Sequence, residues 1–99
     1  MSSFTIVLSK NPDIGRYSVT VPAMPGAITE GDSRDQALRA VAELMTLWIE
    51  VSAEHGEHPL DETPELIAAQ IASVIQDRDA EGWERTIETM SVRPAVPVA

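Results

Sequence analysis

In the first third of the chain, apolar residues alternate with polar ones, a period of two that is typical of β-strands with one buried face. Tyr17, Val19 and Val21 show this alternation most clearly, and residues 4–9 are rich in β-favouring residues with Phe4, Ile6 and Leu8 on one face. The pattern predicts a first strand over residues 4–9 and a second strand beginning at Tyr17. Pro22 has no amide hydrogen to donate, so the second strand should end there.

Turn-forming residues separate these runs and predict how the strands connect. Asn11-Pro12-Asp13 and Gly15 predict a turn that folds the first two strands into an antiparallel hairpin. Pro25-Gly26 supplies the fixed φ and the positive φ that the central positions of a type II turn require. A third strand over residues 27–31 then completes an antiparallel meander.

The pattern changes to helical spacing after Gly31. Ser33 is predicted to cap the helix, with Gln36 reaching back to the Ser33 amide, as in a capping box. Apolar residues then recur at spacings of three and four over residues 35–54. They cover more of the helix than a narrow stripe, which leaves two interpretations open: one helix packed on one sheet, or surplus apolar surface that belongs to a subunit interface.

The second half of the chain predicts a further helix and a returning strand. Thr63-Pro64-Glu65 has the cap, first-turn proline and early acid of a helix start, and the helix should run to about Asp77. Residues 77–88 place acids at several EF-hand positions, but a solvated acidic loop fits better than a calcium site. Residues 83–92 fit a helical stripe as well as a strand, and their β-branched residues favour a strand.

A resemblance to a known family rests on these same residues. The run Gly-Arg-Tyr-Ser-Val-Thr-Val-Pro-Ala-Met-Pro-Gly, from Gly15 to Gly26, precedes a short strand ending in Gly31-Asp32 and a capped Ala/Leu-rich helix. In this order the elements resemble the HicB-like antitoxin domain of bacterial toxin–antitoxin pairs, over residues 4–60. The resemblance implies a partial RNase H-like α+β fold, β-β-β-α-α-β, with one domain over residues 1–92 and an extended tail over residues 93–99. It also implies a tryptophan-led strand after the helices.

Composition narrows the classes of partner. The chain has 99 residues, enough for one domain, no cysteine for disulfides or thiolate metal sites, and a net charge of −9. Such a surface repels phosphate backbones and attracts basic proteins, although acidity also simply favours solubility. No apolar run is long enough for a transmembrane helix, so we expect a cytoplasmic protein with no membrane partner.

The sequence contains no convincing catalytic or cofactor-binding set. His55 and His58 lie in one polar loop without the third ligand or the rigid geometry that zinc needs. The strand over residues 4–9 carries no acid, so the converging carboxylates of two-metal nucleases are missing. We therefore expect no metal, no cofactor and no enzymatic activity.

The resemblance implies an interaction protein that binds and silences a small basic HicA-type toxin that cleaves messenger RNA. The acids nearest the recognised motif, Glu30, Asp32 and Asp35, are the predicted contacts; the alternative is that they are only solvated cap residues. Many HicB-like proteins carry a C-terminal DNA-binding segment where this sequence has a short tail, so direct nucleic-acid binding is not expected. Another hypothesis is an orphan HicB-like module that forms a homodimer or higher homo-oligomer through sheet edges or its apolar helix surface.

Overall fold

The computed structural model describes residues 3–10, 15–81 and 86–95, which form an α+β fold of six elements. The elements in chain order are β1 (Phe4–Lys10), β2 (Tyr17–Thr20), β3 (Ile28–Gly31), α1 (Arg34–Glu54), α2 (Pro64–Glu81) and β4 (Thr86–Val92). This order confirms the predicted β-β-β-α-α-β arrangement.

The four strands form one antiparallel sheet with the order β3-β2-β1-β4. Val7 of β1 faces Thr20 of β2, and Val19 of β2 faces Thr29 of β3. The last strand returns beside the first, with Met90 opposite Ile6. β4 confirms the prediction of a strand in this region, while the predicted leading residue Trp83 lies outside the described residues, as does the turn predicted at Asn11-Pro12-Asp13.

One face of the sheet packs against α1 and forms the main core. Ile6 and Leu8, which share this face of β1, are 0% and 1% exposed, as the alternation predicts. The core joins these strand residues to one stripe of α1 through the following buried side chains: Ile6, Leu8, Val19, Val21, Met24, Ala27, Ala37, Val41 and Met45. The three α1 members are four residues apart, so they lie on one side of the helix.

The opposite face of the sheet is covered by α2, so β1 is buried on both sides. Val7 and Ser9, which point away from α1, are 1% and 3% exposed. Together with Val74 of α2 they line a groove between this helix and the sheet. The unbroken apolar run Ile6-Val7-Leu8 is typical of a strand buried on both faces, but the sequence prediction placed only the long helix on the sheet.

The connection between β2 and β3 consists of two successive turns. The Met24 amide donates to the Val21 carbonyl at 3.0 Å, and the Ala27 amide then donates to the Met24 carbonyl at 3.0 Å. Gly26 has φ 83°, which matches the third position of a type II turn with Pro25 before it. Because Ala23 and Met24 are fully buried, this loop contributes to the core.

The ends of α1 are closed by side-chain and backbone hydrogen bonds. The Gln36 amide donates to Ser33 Oγ at 3.1 Å, so Ser33 is the N-cap. The Gln36 side chain was predicted to accept from the Ser33 amide, but it accepts from the Asp32 amide at 2.6 Å, because it reaches one residue further back. At the other end, Gly56 has φ 71° and the Glu57 amide donates to the Ser52 carbonyl at 2.8 Å, a Schellman arrangement.

The linker between the two helices runs across one end of the sheet. The Leu60 amide donates to the Ala23 carbonyl at 2.7 Å, and the Thr5 hydroxyl donates to Glu62 at 3.1 Å. These bonds hold the linker at this end of the sheet, where it passes from the α1 face to the α2 face. Thr63 then caps α2, with the Leu66 amide donating to Thr63 Oγ1 at 3.1 Å.

The end of α2 and the segment after β4 differ in detail from the sequence predictions. α2 continues to Glu81, so residues 77–81 are helical where an acidic loop was predicted to begin at Asp77. Beyond β4, the Ala95 amide donates to the Ala42 carbonyl at 2.9 Å and the Ala95 carbonyl accepts from Thr46 Oγ1 at 2.7 Å. The first residues of the predicted tail therefore lie against α1, and the rest of it, residues 96–99, lies outside the described residues.

Gly31, at the end of β3, packs closely against the first turn of α1, and this contact generates a prediction. A Cβ on Gly31 would lie 2.5 Å from the Ala37 amide nitrogen and 2.8 Å from Ala37 Cα. Since both are backbone atoms, we expect Gly31→Ala to lower the free energy of unfolding by about 1–3 kcal/mol or more. Urea denaturation followed by circular dichroism measures this loss.

The matched control is Gly56, which has open space around it but a positive φ. Gly56→Ala should cost about 1–2 kcal/mol, and Gly56→Asn should cost less, because asparagine tolerates the left-handed conformation. Asparagine at position 31 should be at least as destabilising as alanine. Equal recovery by asparagine at both positions would contradict the proposed steric contact.

Candidate partner-binding site

Two of the three predicted contact residues are joined by one arginine at the corner where β3 ends and α1 begins. Arg16 Nε lies 3.2 Å from Asp32 Oδ1, and an Arg16 terminal nitrogen lies 3.6 Å from Glu30 Oε2. The pairing of β2 with β3, in which Ser18 faces Glu30, brings Arg16 beside these carboxylates. The Glu30 and Asp32 side chains remain 57% and 77% exposed, so both can still meet a partner.

Asp35, the third predicted residue, lies in the first turn of α1 and is exposed. A negative charge there interacts favourably with the positive end of the helix dipole. No hydrogen bond or ion pair connects Asp35 to Glu30 or Asp32 in the described part of the chain. The structure thus places the three acids in one corner of the fold, as neighbours in sequence, and links only the first two.

The bases in this corner offset much of its negative charge. Besides Arg16, Arg34 at the start of α1 lies 3.1 Å from Glu88 on β4. The Arg34 guanidinium also reaches the Met90 sulfur at 3.9 Å, so it lies beside β4. Arg39 follows one turn after Asp35. The corner is therefore a mixed surface of arginines and carboxylates.

The strongest negative charge lies elsewhere, on the second half of α1 and the segment that follows it. Residues 40–77 contain eight acids and no lysine or arginine, whereas the whole chain has a net charge of −9. The sequence prediction selected acids by their closeness to the recognised turn and missed this segment. The signal that identifies it is the 38-residue interval between Arg39 and Arg78.

Five exposed residues of α1 lie within this anionic segment, and we name them the outer ridge: Glu43, Leu47, Glu50, Val51 and Glu54. Their spacings of three and four make them neighbours on the helix surface. Leu47 is 56% exposed and Val51 is 46% exposed. The stripe that holds the core faces the sheet, so the outer ridge contributes little to holding the fold together.

The α2 face of the sheet has a groove of about 230 Å³, and the described residues that line it are uncharged. The described lining combines hydroxyl and amide side chains with aliphatic ones: Val7, Ser9, Ser18, Thr20, Ile28, Gln70, Ser73 and Val74. The Thr20 hydroxyl is buried and has no hydrogen-bond partner among the described residues. Among the described residues that line this groove, none carries a charge that would attract a basic protein.

The described residues contain no group of three or more histidine, cysteine or acidic side chains that could hold a metal ion. The loop with His55 and His58 is exposed to solvent. Nor does the described part of the chain include a helix of the length and apolarity needed to span a bilayer.

Comparison with known proteins assigns the fold to a family. Residues 4–95 match the family described as the HicB_like antitoxin of bacterial toxin-antitoxin system. The chain belongs to the HicB-like antitoxin family. The match covers all six elements of the structure, including α2 and β4, which extend past the residues that carry the resemblance in sequence.

Two archaeal relatives also match parts of this HicB-like chain. A UPF0150 protein of Thermoplasma acidophilum is 36% identical over 64 residues, which is 64% of this chain and 91% of the relative. A UPF0150 protein of Archaeoglobus fulgidus is 41% identical over 56 residues, which is 54% of this chain and 80% of the relative. No solved structure gives a significant match.

The Arg16 ion pairs lead to a prediction about stability. Because the Arg16, Glu30 and Asp32 side chains are all about half exposed or more, their pairing is screened by water. We expect Arg16→Gln to change the free energy of unfolding by less than about 1 kcal/mol, measured by urea denaturation. A larger loss would show that the pairs hold β2 and β3 together and are not available to a partner.

Proposed function

We propose that this HicB-like protein is an antitoxin that binds and neutralises a small basic HicA-type toxin that cleaves messenger RNA. The family match supports an antitoxin role, and the anionic segment over residues 40–77 supports a basic partner. Opposite charges on the two proteins would accelerate their encounter and orient it. Binding that covers the toxin's active surface would block access to RNA.

The corner with Glu30, Asp32 and Asp35 remains our proposed first contact for this toxin. Arg16 holds two of the carboxylates beside each other, which reduces the side-chain entropy that a partner would have to remove on binding. A lysine or arginine of the toxin can approach the same carboxylates from solvent because they are exposed. Arg16 would then form one side of a shared network of charges.

We further propose that the chain acts without catalysis and without binding nucleic acid directly, in the cytoplasm. The six described strand and helix elements lack a cluster of basic side chains of the kind that releases counterions from a phosphate backbone. At the β3 corner Arg16 is paired with Glu30 and Asp32, and the charged groups on the outer ridge are acids. RNA would therefore be contacted by the toxin alone.

A second candidate function is a homo-oligomeric module, and one feature favours it. β4 is an edge strand of seven residues whose outer side has no strand partner among the described residues. Its one charged residue, Glu88, is already paired with Arg34. A long edge strand with little free charge can pair with the same strand of another copy. Such a homodimer is compatible with toxin binding at the corner.

The oligomer is tested by multi-angle light scattering across micromolar concentrations. If β4 edges pair, a dimer should form and Thr89→Pro, which removes one amide and cannot extend a ladder, should shift it to monomer. Thr29→Ala on β3 serves as a control substitution in the other edge strand. A single monomeric species at all concentrations would contradict the oligomeric module.

The toxin interaction is tested by co-expression with a HicA-type toxin, with growth rescue and co-purification as readouts. The triple variant Glu30→Gln, Asp32→Asn and Asp35→Asn should weaken the complex by about tenfold, mostly through a slower association rate. Raising the salt concentration should reduce the wild-type association rate towards that of the variant.

The matched control removes three exposed acids elsewhere: Glu57→Gln, Asp61→Asn and Glu65→Gln. Both triple variants have the same net charge, so a loss that depends on total charge alone would be equal in the two. An equal loss would contradict a specific role for the corner. Failure of the wild-type protein to bind or rescue would contradict the antitoxin proposal itself.

A further inference from the structure

The outer ridge of α1 combines apolar and acidic groups in a regular order. Leu47 and Val51 are one turn apart, and Glu43, Glu50 and Glu54 lie three or four residues from one or both of them. A partner's side chain that contacts Leu47 and Val51 would therefore lie within one helical turn of carboxylates on either side of this pair along the helix. The last turn of α1 has no basic residue, so the negative end of its dipole adds to these charges.

These groups are not used by the fold. Glu43, Glu50 and Glu54 make no ion pair or side-chain hydrogen bond with any described residue. The core uses Ala37, Val41 and Met45 on the sheet side of the helix. An exposed apolar pair is common on protein surfaces, but one surrounded by unpaired like charges is electrostatically matched to a cationic ligand.

Charge decides between the possible occupants of this surface. A second copy of the chain, docked through the same surface, would bring its own Glu43, Glu50 and Glu54 against the first set, and the outer ridge has no lysine or arginine to pair with them. Like charges placed together at an interface are costly. A nucleic acid would be repelled for the same reason. A surface with positive charge and apolar groups at helical spacing fits instead.

We infer that the outer ridge of α1 docks a basic amphipathic helix of a protein partner. Leucine-type side chains of that helix would cover Leu47 and Val51. The aliphatic stems of lysine or arginine would extend over the same apolar surface and place their charges at Glu43, Glu50 and Glu54. This inference rests on the proposed function only for the identity of the partner, since the toxin would supply the helix.

The test uses a designed probe, so that it does not depend on the toxin. An 18-residue helical peptide carries leucines at positions i, i+3, i+4 and i+7 and lysines on both flanks. A second peptide keeps the leucines and replaces the lysines by glutamates. We expect saturable binding of the lysine peptide to the full-length chain, measured by fluorescence anisotropy, with affinity that falls as salt rises. The glutamate peptide should not bind.

Variants locate the binding. The double variant Leu47→Gln, Val51→Gln should lower the affinity for the lysine peptide by about tenfold. The triple variant Glu43→Gln, Glu50→Gln, Glu54→Gln should lower this affinity by a similar factor and reduce its dependence on salt. Glutamine is a good helix former and these positions are exposed, so the helix should persist, which circular dichroism verifies. The controls are Leu60→Gln with Ile75→Gln, and the acids Glu57, Asp61 and Glu65 changed to amides; both should bind the peptide within about twofold of wild type.

Three outcomes would overturn the inference: no binding of the lysine peptide, equal weakening by ridge and control variants, or a dimer of the chain that Leu47→Gln with Val51→Gln converts to monomer. The last outcome would identify the occupant as a second copy. If the peptide binds the ridge but a HicA-type toxin does not bind the chain, the proposed function fails and the docking site stands. If the toxin binds and all ridge variants retain wild-type affinity, only the docking site fails.

Discussion

The burial of β1 on both faces is the constraint on which the rest of this structure depends. Ile6 and Leu8 need a cover on one side and Val7 and Ser9 on the other, because each is no more than 3% exposed. α1 supplies the first cover and α2 the second, so the linker after Gly56 must carry the chain past the end of the sheet. The hydrogen bonds at Leu60 and the Thr5 contact to Glu62 hold it on that path.

The same constraint gives α1 two different sides, one that faces the sheet and one that faces solvent. Its sheet side is fixed by the core and by the close approach to Gly31, so it has little freedom to change its angle. Its outer side then becomes a rigid, exposed surface whose groups are free for contacts with other molecules. A rigid helix presents a partner with side chains that are already ordered, which lowers the entropic cost of binding.

The distribution of charge adds a second division between the corner and the outer ridge. At the corner, Arg16 and Arg34 engage Glu30, Asp32 and Glu88, so negative and positive groups are mixed. Along the outer ridge the carboxylates have no such partners among the described residues. A basic protein would thus be attracted over a broad area. The carboxylates at the corner and those on the outer ridge would then orient it.

Much of the fold could be predicted because its signals are local. The alternation around Val19, the Pro25-Gly26 turn and the serine before α1 each specify a backbone conformation within a few residues. The spacing of apolar residues over 83–92 fits a helix as well as a strand. The β-branched residues favour a strand, and β4 (Thr86–Val92) confirms that prediction. The order of these elements resembles that of the HicB-like antitoxin family, and the family match over residues 4–95 confirms the resemblance.

The rest depends on contacts between distant parts of the chain. The bridge from Arg16 to two carboxylates requires the register of β2 against β3, which periodicity does not fix. The side of the sheet that α2 covers depends on the path of the linker. Residues 77–81 were predicted as a loop because of their acids, yet they continue α2, since alanine and glutamate are good helix formers. The outer ridge does have a sequence signal, the absence of lysine and arginine over residues 40–77, but this signal extends over 38 residues and belongs to no local motif.

A backbone amide NMR titration of the isotope-labelled chain with a HicA-type toxin tests whether α1 both builds the core and presents an anionic surface to a basic partner. The largest shifts should fall on residues 30–35 and on the outer ridge of α1, with the α2 face of the sheet unchanged. Shifts centred on the groove lined by Val7, Thr20 and Val74, with the ridge unaffected, would contradict it.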